Sequence, residues 1–293
     1  MEVGVALPQM VKDFDRDKFV NWCEGIDAGP FSSVSAGERI TFHNLEGIIA
    51  CAAAAALTER VKVFANLIVM PWHTVPLITK QLIAIDVISN GRLEIGVGIG
   101  GRKQDYEALG VNFGHLHQRL DDSVIEMLHL WKGGAAGDGG VLGPPPPQAQ
   151  PLVLAGAMGP KALARAAKWA DGVSGFTITA NAEEAEQLFL ATSKAWANEG
   201  KTKPPRQVTG FFCALGPDAE NRLRNFTYEY LEVFGPLFAR SIAEEISAFT
   251  PERIGDALEA IAAAGGDECI LVPGSADPKC LEELSALVAD RGF

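Results

Sequence analysis

SNGRLEIGVGIGG, residues 89–101, carries the strongest structural signal in this chain. It closes a helical pattern, begins an alternating apolar strand and then runs into glycines, and a backbone without side chains typically faces a ligand. Gly96, Gly98 and Gly101 also match the G-x-G-x-x-G spacing by which dinucleotide-binding folds bring a pyrophosphate against a helix N-terminus. The position of this segment in the fold therefore decides what its glycines mean.

Short apolar strands alternate with helical patterns along the chain. Strands are predicted at 3–7, 32–36, 61–70, 92–97, 152–155, 172–178, 207–215 and 268–272. Helices are predicted at 18–28, 45–58, 75–89, 116–131, 160–170, 182–198 and 278–289, with further helical stretches between 218 and 264. Eight such units close into a (β/α)8 TIM barrel, whose parallel strands are covered by helices. An open doubly wound sheet with a second lobe is the competing architecture.

The order of the units favours the barrel. A dinucleotide fold carries its glycine motif in the first strand-to-helix turn, whereas these glycines follow the fourth strand. In a barrel that loop opens on the C-terminal face, where ligands bind, although glycines that merely ease tight packing are the alternative. We predict a single barrel domain over residues 1–293, with the Gly- and Pro-rich residues 133–151 as an excursion between the fourth and fifth units.

The amino-acid composition argues against several classes of function. The net charge of -12 argues against nucleic-acid and anionic-membrane binding, which need a basic face. Five isolated cysteines without a C-x-x-C motif fit reduced thiols, and no metal-ligating cluster is visible. The N-terminus has no basic leader, and no apolar run reaches the roughly 18 residues that would span a bilayer. We therefore expect a cytoplasmic protein that binds a small molecule.

A set of motifs makes the assignment more specific. These motifs are DVISNGR at 86–92, LEIGVGIGG at 93–101, DYEALG at 105–110, TERV at 58–61, LIVMP at 67–71, PLVLAGAMGP at 151–160 and ADG at 170–172. Together they resemble the bacterial luciferase-like superfamily of flavin- and deazaflavin-dependent barrel enzymes. The resemblance is close over residues 1–175 and continues beyond them only in the architecture.

The resemblance implies a cofactor, either the deazaflavin coenzyme F420 or FMN. Members of this family hold the ring against a bulge at the end of the third strand, commonly through a non-prolyl cis peptide, which corresponds here to Asn66–Leu67. Gly98 and Gly100 after the fourth strand are expected to contact the cofactor. The loop after the fifth strand is expected to bind the ribityl chain or phosphate through free backbone N–H groups. Its residues are Ala155, Gly156, Ala157, Met158 and Gly159.

Catalytic candidates follow the second strand. Relatives often carry an acid there, followed by one or two histidines that face the reactive ring, whereas this chain has Glu38 followed by Arg39 and Ile40. His43 is a candidate acid or base because imidazole titrates near neutral pH. Arg39 keeps its charge and is a candidate for binding an anionic substrate or stabilising a reduced ring.

Three more residues have expected places. Trp72 and His73 follow the third strand and are candidates for shaping the mouth of the pocket. Glu94 lies early in its strand and is expected inside the bottom of the barrel, where a buried carboxylate needs a partner.

The implied activity is hydride transfer between F420 or reduced FMN and a small organic substrate. Two alternatives are open: a monooxygenase that uses reduced FMN to insert one oxygen atom, and a cofactor-binding barrel without turnover. The segment from GRLEIGVGIGG to DYEALG favours the deazaflavin branch, whereas the absent histidine speaks against it. Relatives commonly pair through barrel helices, so we also expect a homodimer.

Overall fold

The computed structural model describes residues 1–12 and 14–293. Within them, eight parallel strands form a closed barrel in which each strand pairs with the next along the chain and β8 pairs with β1. The strands are β1 (Glu2–Ala6), β2 (Ser33–Ala36), β3 (Lys62–Val69), β4 (Leu93–Gly98), β5 (Leu152–Ala155), β6 (Gly172–Ser174), β7 (Arg206–Cys213) and β8 (Glu268–Pro273). The predicted (β/α)8 TIM barrel is confirmed.

Helices cover the outside of the barrel. They are α1 (Arg16–Ala28), α2 (Gly47–Leu57), α3 (Val75–Ile88), α4 (Lys103–Ala108), α5 (Leu116–Trp131), α6 (Pro160–Ala166), α7 (Ala182–Asn198), α8 (Ala219–Leu231), α9 (Pro236–Glu245), α10 (Pro251–Ala263) and α11 (Pro278–Arg291). Short helix-forming side chains allow close packing on the sheet, as in α2, where Ala50, Ala54 and Ala55 are buried. None of the helices in the described residues is long and apolar enough to cross a membrane.

The Gly- and Pro-rich excursion lies between α5 and β5, as predicted. Gln148 attaches it to the rest of the fold: its side-chain amide donates to Asp86 Oδ1 at 2.6 Å and to the Leu93 carbonyl at 2.8 Å. In return, the Gln148 carbonyl accepts a hydrogen bond from Trp131 Nε1 at 2.8 Å. These contacts hold the excursion beside the start of β4, on the opposite side of the barrel from the strand C-termini.

A layer of charged side chains closes the N-terminal end of the barrel. Glu268 is fully buried and accepts from Arg206 at 2.6 Å, while Lys62 lies 2.8 Å from Glu2 and 3.4 Å from Glu94. Burial raises the pKa of Glu94, and the repulsion from Glu268 adds to this effect, although Lys62 and Arg206 oppose it. Glu94 therefore has the position and the partner predicted from the sequence.

The regular pairing of β3 with β4 is interrupted near the C-terminal end of β3. The register shifts between Ala65 and Ile68, which marks a bulge. The Asn66–Leu67 peptide inside this bulge is cis, as the family resemblance implies.

Candidate active site

A cavity of about 390 Å³ opens at the C-terminal ends of the strands. This is the end at which (β/α)8 enzymes assemble their active sites, and the volume lies within the range of small-molecule pockets. Most of its polar lining residues lie near or beyond the C-terminal ends of β1 to β4. They are Gln9, Ser35, Glu38, Asn66, Trp72, Arg102 and Asp105, and the remaining polar residues are Ser174, Thr209 and Tyr230.

Aromatic rings form the opposite wall of the cavity. Phe212 at the end of β7 contacts three other rings at centroid distances of 4.9 to 5.3 Å, and all of these rings line the cavity. Its neighbours are Phe176, Phe226 and Tyr230. Such edge-to-face contacts make a rigid apolar wall suited to a planar ligand.

Glu38 supports the β3 bulge from the segment that follows the neighbouring strand β2. Its backbone N–H donates to the Leu67 carbonyl at 3.3 Å, and its carboxylate Oε2 accepts from the Val69 N–H at 2.7 Å. Although its side chain is only 3% exposed, Glu38 lines the cavity. Glu38, a predicted catalytic candidate, therefore lies at the cavity wall and also supports the bulge.

The imidazole beside Glu38 comes from the loop after β3. His73 Nε2 lies 2.9 Å from Glu38 Oε1 and 3.0 Å from Oε2, and Trp72 Nε1 donates to the same nitrogen at 2.9 Å. The sequence suggested His73 only as a residue of the pocket mouth, because no local pattern links it to an acid 35 residues earlier. The signal was its position directly after a strand, where barrel loops enter the site.

Arg39 lies behind the aromatic wall. Its guanidinium carbon is 3.6 Å from the centroid of the Phe42 ring and 4.5 Å from that of Tyr230. Its Nε and Nη1 are buried and have no hydrogen-bond partner among the described residues. Burial lowers the pKa of Arg39 to about 10, with a further contribution from the charge of Arg102. Arg39 therefore remains a cation near neutral pH.

His43 lies farther from the cavity. Its exposed ring stacks on Phe42 at 4.0 Å, and its Nε2 is 2.8 Å from the carbonyl oxygen of Met10. The structure therefore does not bring His43 together with Glu38, and its catalytic role stays a prediction.

A buried carboxylate ties the loop after β4 to the loop after β2. Asp105 accepts from the backbone N–H of Thr41 at 2.8 Å, from the Thr41 hydroxyl at 2.6 Å and from Arg102 Nε at 3.0 Å. Burial by itself would raise the pKa of Asp105, but these hydrogen bonds and the Arg102 charge hold it below its ordinary value. Asp105 is therefore a carboxylate that supports the cavity wall.

Asn66 and Leu67 both line the cavity, and their contact with a cofactor stays a prediction. The Asn66 side chain is held by Ser174 at the end of β6, whose hydroxyl lies 2.9 Å from Asn66 Oδ1. A side chain at Gly37 would place its Cβ 2.6 Å from the Asn66 carbonyl oxygen, so only glycine lets β2 approach the bulge this closely.

The glycines of β4 and of the β5 loop surround the Leu67 side chain. A Cβ added at Gly98 would lie 3.1 Å from Leu67 Cδ1, and one added at Gly156 would lie 2.5 Å from the same atom. Gly100 lines the cavity itself and has a φ of +63°, which favours glycine. The structure therefore places Gly100 at the cavity and Gly98 beneath Leu67.

The loop of residues 155–159 follows β5 at the same end of the barrel, outside the set of residues that line this cavity. Ala155 and Ala157 are buried, whereas Met158 is 72% exposed. Gly159 precedes α6, which begins at Pro160. Cofactor binding by Ala155, Gly156, Ala157, Met158 and Gly159 stays a prediction.

Within residues 1–12 and 14–293, no group of three or more His, Cys, Asp or Glu side chains is arranged to hold a metal ion.

Proteins of known structure share the whole architecture. The monooxygenase RslO1 from Streptomyces bottropensis superimposes with a TM-score of 0.79 at 18% identity, covering 99% of this chain and 98% of that one. An F420-dependent secondary alcohol dehydrogenase, solved with an F420-acetone adduct, has a TM-score of 0.81 at 15% identity and covers 98% of both chains. Because the sequence identities are this low, the structural similarity shows a shared fold and nothing more.

Sequence relatives and a family model give the assignment. Pyrimidine monooxygenase RutA from Bradyrhizobium sp. is 32% identical over 180 residues, which is 54% of this chain and 48% of RutA. The oxygenase component of a flavin-dependent trigonelline monooxygenase from Acinetobacter baylyi is 30% identical over 126 residues, 40% of this chain and 34% of that protein. The chain thus matches about half, or less, of the length of these curated relatives. A model of the luciferase-like monooxygenase family matches residues 1–293, and the chain belongs to that family.

Proposed function

We propose that this chain is an oxidoreductase that uses a flavin or deazaflavin to transform a small organic substrate, with residues 1–293 acting as one barrel domain. The observation that carries the proposal is the cavity at the strand C-termini, with the β3 bulge on one wall and aromatic rings on the other. Family membership and the names of the relatives support it. Reduced FMN with oxygen insertion is the first candidate, because both sequence relatives named above are monooxygenases.

The residues present fit a flat ring. Several positions of the cavity wall have small or absent side chains, so a planar ligand can approach the backbone closely. These are Ala6, Ala36, Gly37, Gly100, Gly101 and Gly175. Asn66, Leu67 and Gly100 would contact the ring, and Gly98 and the loop of residues 155–159 remain the predicted contacts for the rest of the cofactor. When bound, a reduced flavin supplies a hydride or activates oxygen, whereas a deazaflavin supplies a hydride.

The surrounding residues would orient the substrate and exclude water. The wall built on Phe212 offers apolar area, whereas Glu38, Arg102 and Asp105 confine polar groups to the other side. A site of this kind favours a planar substrate with one polar edge. Arg39 adds a fixed positive charge behind the Tyr230 ring.

F420-dependent hydride transfer is the second candidate. The specific observation in its favour is the full-length structural match to the F420-dependent secondary alcohol dehydrogenase. Glu38 and Asn66 line the cavity and do not favour one candidate over the other.

Binding and turnover distinguish the candidates. We would titrate the protein with oxidised FMN, reduced FMN and F420, and then follow oxidation of reduced FMN in air with uracil or trigonelline as probe substrates. Reduction of F420 would be followed without air, with propan-2-ol as the probe. Oxygenated product formed with reduced FMN supports the first candidate, and anaerobic hydride transfer to F420 supports the second. Binding without turnover of any probe would favour a cofactor-binding barrel, and failure to bind either cofactor at micromolar concentration contradicts the proposal.

We also propose a homodimer. The helices α2, α3 and α5 pack side by side and present large apolar side chains to solvent. These side chains are Ile49, Leu57, Leu77, Val87, Ile88 and Ile125. Large apolar side chains exposed on neighbouring helices are typical of a protein interface. For location, five buried and unbridged cysteines, all within the described residues, support the expected cytoplasmic environment.

A further inference from the structure

We propose that Glu38 and His73 form one proton-carrying pair that connects the cavity with solvent. Glu38 is the catalytic residue on the cavity side, and His73 is a positioning residue that exchanges the proton with water. No histidine directly follows Glu38 in the chain, and the loop after β3 supplies an imidazole instead. The reaction that this pair serves rests on the proposed function, whereas the pair itself can be tested without it.

The two side chains differ in their access to water. The Glu38 side chain is 3% exposed and lines the cavity, whereas that of His73 is 20% exposed. The His73 Nε2 is within hydrogen-bond distance of both carboxylate oxygens, at 2.9 and 3.0 Å. A proton that reaches Glu38 from a bound ligand therefore has a direct partner that is itself in contact with solvent.

The hydrogen bond of Trp72 depends on where this proton lies. A neutral imidazole nitrogen offers either one hydrogen or one lone pair. If Nε2 of His73 carries hydrogen, it donates to Glu38 and leaves the Trp72 N–H without an acceptor there. If Nε2 is bare, its lone pair accepts from Trp72 at 2.9 Å, and Glu38 can then be bonded to Nε2 only as a protonated carboxyl group that shares the same lone pair. Since Trp72 also lines the cavity, the proton position affects a hydrogen bond of the cavity wall.

The other charged and titratable groups nearby are already engaged or lie further back. Arg102 pairs with Asp105 at 3.0 Å, and the Tyr106 hydroxyl donates to the Ile99 carbonyl while its ring packs on Trp72. Arg119 donates to the Pro71 carbonyl. The Arg39 guanidinium is held between aromatic rings, as described above. Within the described residues, Glu38 is the one carboxylate paired with His73.

The step itself is a proton transfer in two stages. An O–H or N–H bond of the substrate breaks, its electron pair stays on the substrate atom, and the proton adds to a Glu38 oxygen. The proton then moves to His73 Nε2, and the imidazole releases a proton to water. The reverse sequence delivers a proton to the substrate.

The first test needs neither cofactor nor substrate. Long-range proton–nitrogen NMR spectra of the histidine rings would be recorded at pH 7 for the wild type and for E38Q, whose amide oxygen can still accept from Val69. We expect the His73 ring-nitrogen signals to differ between the two proteins, because the position of the ring proton depends on the hydrogen bond to Glu38. Exposed His117 is the internal control and should give the same signals in both proteins. Identical His73 signals in both proteins overturn the proposal.

The second test uses the cofactor and probe that give turnover in the titrations above. We expect H73A to lose about 100-fold in turnover at pH 7. Added imidazole should raise the turnover of H73A at least about tenfold, because it replaces the missing proton carrier. E38Q should lose as much without rescue, and the control H117A should keep wild-type turnover.

Cofactor titration of the same variants separates the two hypotheses. If H73A binds the cofactor like the wild type and keeps its turnover, or loses turnover without rescue by imidazole, the relay is contradicted while the proposed function stands. If no cofactor binds to the wild type, the proposed function fails, and the NMR experiment still decides whether the pair exists.

Discussion

Leu67 is the residue on which the glycines of two neighbouring segments converge. A Cβ at Gly96, Gly98 or Gly156 would lie within 3.1 Å of one of its methyl groups. The sequence predicts that the glycine run of β4 faces the cofactor. In the structure, Gly96 and Gly98 leave room for the Leu67 side chain, which itself lines the cavity.

Replacement of Gly156 tests this role. In G156A the new Cβ would lie 2.5 Å from Leu67 Cδ1, so the leucine side chain must turn away from β5. We expect the affinity for the cofactor to fall about tenfold, which corresponds to about 1.4 kcal/mol. Equilibrium titration with FMN or F420 measures this effect.

Two further variants serve as controls. G139A should bind like the wild type, because a Cβ at that position has no neighbour within 4 Å. In an L67A background, the G156A substitution should no longer weaken binding, because the clashing atoms are gone. An equal loss with and without Leu67 would show that its displacement is not the cause.

The helices and strands could largely be predicted from the chain. α5, α7 and β5 have the bounds predicted for them, because their apolar patterns are regular. In addition, Asn181 caps the start of α7, and Pro151 directly precedes β5. β6 was predicted at 172–178 but ends at Ser174. Gly175 and Thr177 still donate backbone hydrogen bonds to β7, while Phe176 and Ile178 line the cavity. An apolar run that lines a cavity has the same composition as a buried strand, so its sequence does not mark where the regular strand ends.

The charged layer at the N-terminal strand ends allows a second prediction. Burial raises the pKa of Glu94, so the folded state retains its proton to higher pH than the unfolded chain. The wild type therefore loses stability as pH rises from about 4.3, the ordinary glutamate value, through the raised pKa. E94Q has no carboxyl group to titrate at this position. We therefore expect the unfolding free energy of E94Q, relative to that of the wild type, to increase as pH rises over that range. Urea unfolding at a series of pH values measures it.

E268Q is the matched comparison for E94Q. Glu268 is fully buried and accepts from Ser32, Ser33 and Arg206 at 2.5 to 2.7 Å, so removal of its charge leaves buried donors and a cation poorly compensated. We expect E268Q to lose about 3 kcal/mol of unfolding free energy at pH 7. If E94Q were destabilised as strongly as E268Q, the assigned difference between the two carboxylates would be wrong.

At the scale of the whole molecule, the barrel leaves one side rich in exposed apolar residues. Ile49 on α2 and Leu77 on α3 are 67% and 59% exposed. We expect the wild type to sediment as a dimer at micromolar concentration and the double variant I49E/L77E to sediment as a monomer, because buried charges at an interface are costly. L190E is the control, since Leu190 lies on α7 and is 65% exposed. A monomeric wild type contradicts the proposed dimer.

The barrel and the end of it that carries the cavity were determined by the sequence alone. Strand and helix periods are local properties of the chain, and eight parallel units close in only one simple way. The same local pattern, together with the family resemblance, placed Glu38 after β2 and Asn66–Leu67 in the C-terminal half of β3.

The tertiary structure alone decided which side chains meet. It brought His73 to Glu38, separated His43 from the cavity and placed Gly98 beneath Leu67. These contacts join different strands and loops, and they depend on the β3 bulge and on the exact path of each loop. Neither is encoded in a repeating pattern, because a contact within hydrogen-bond distance requires positions accurate to a fraction of an ångström, whereas periodicity specifies only the face of an element.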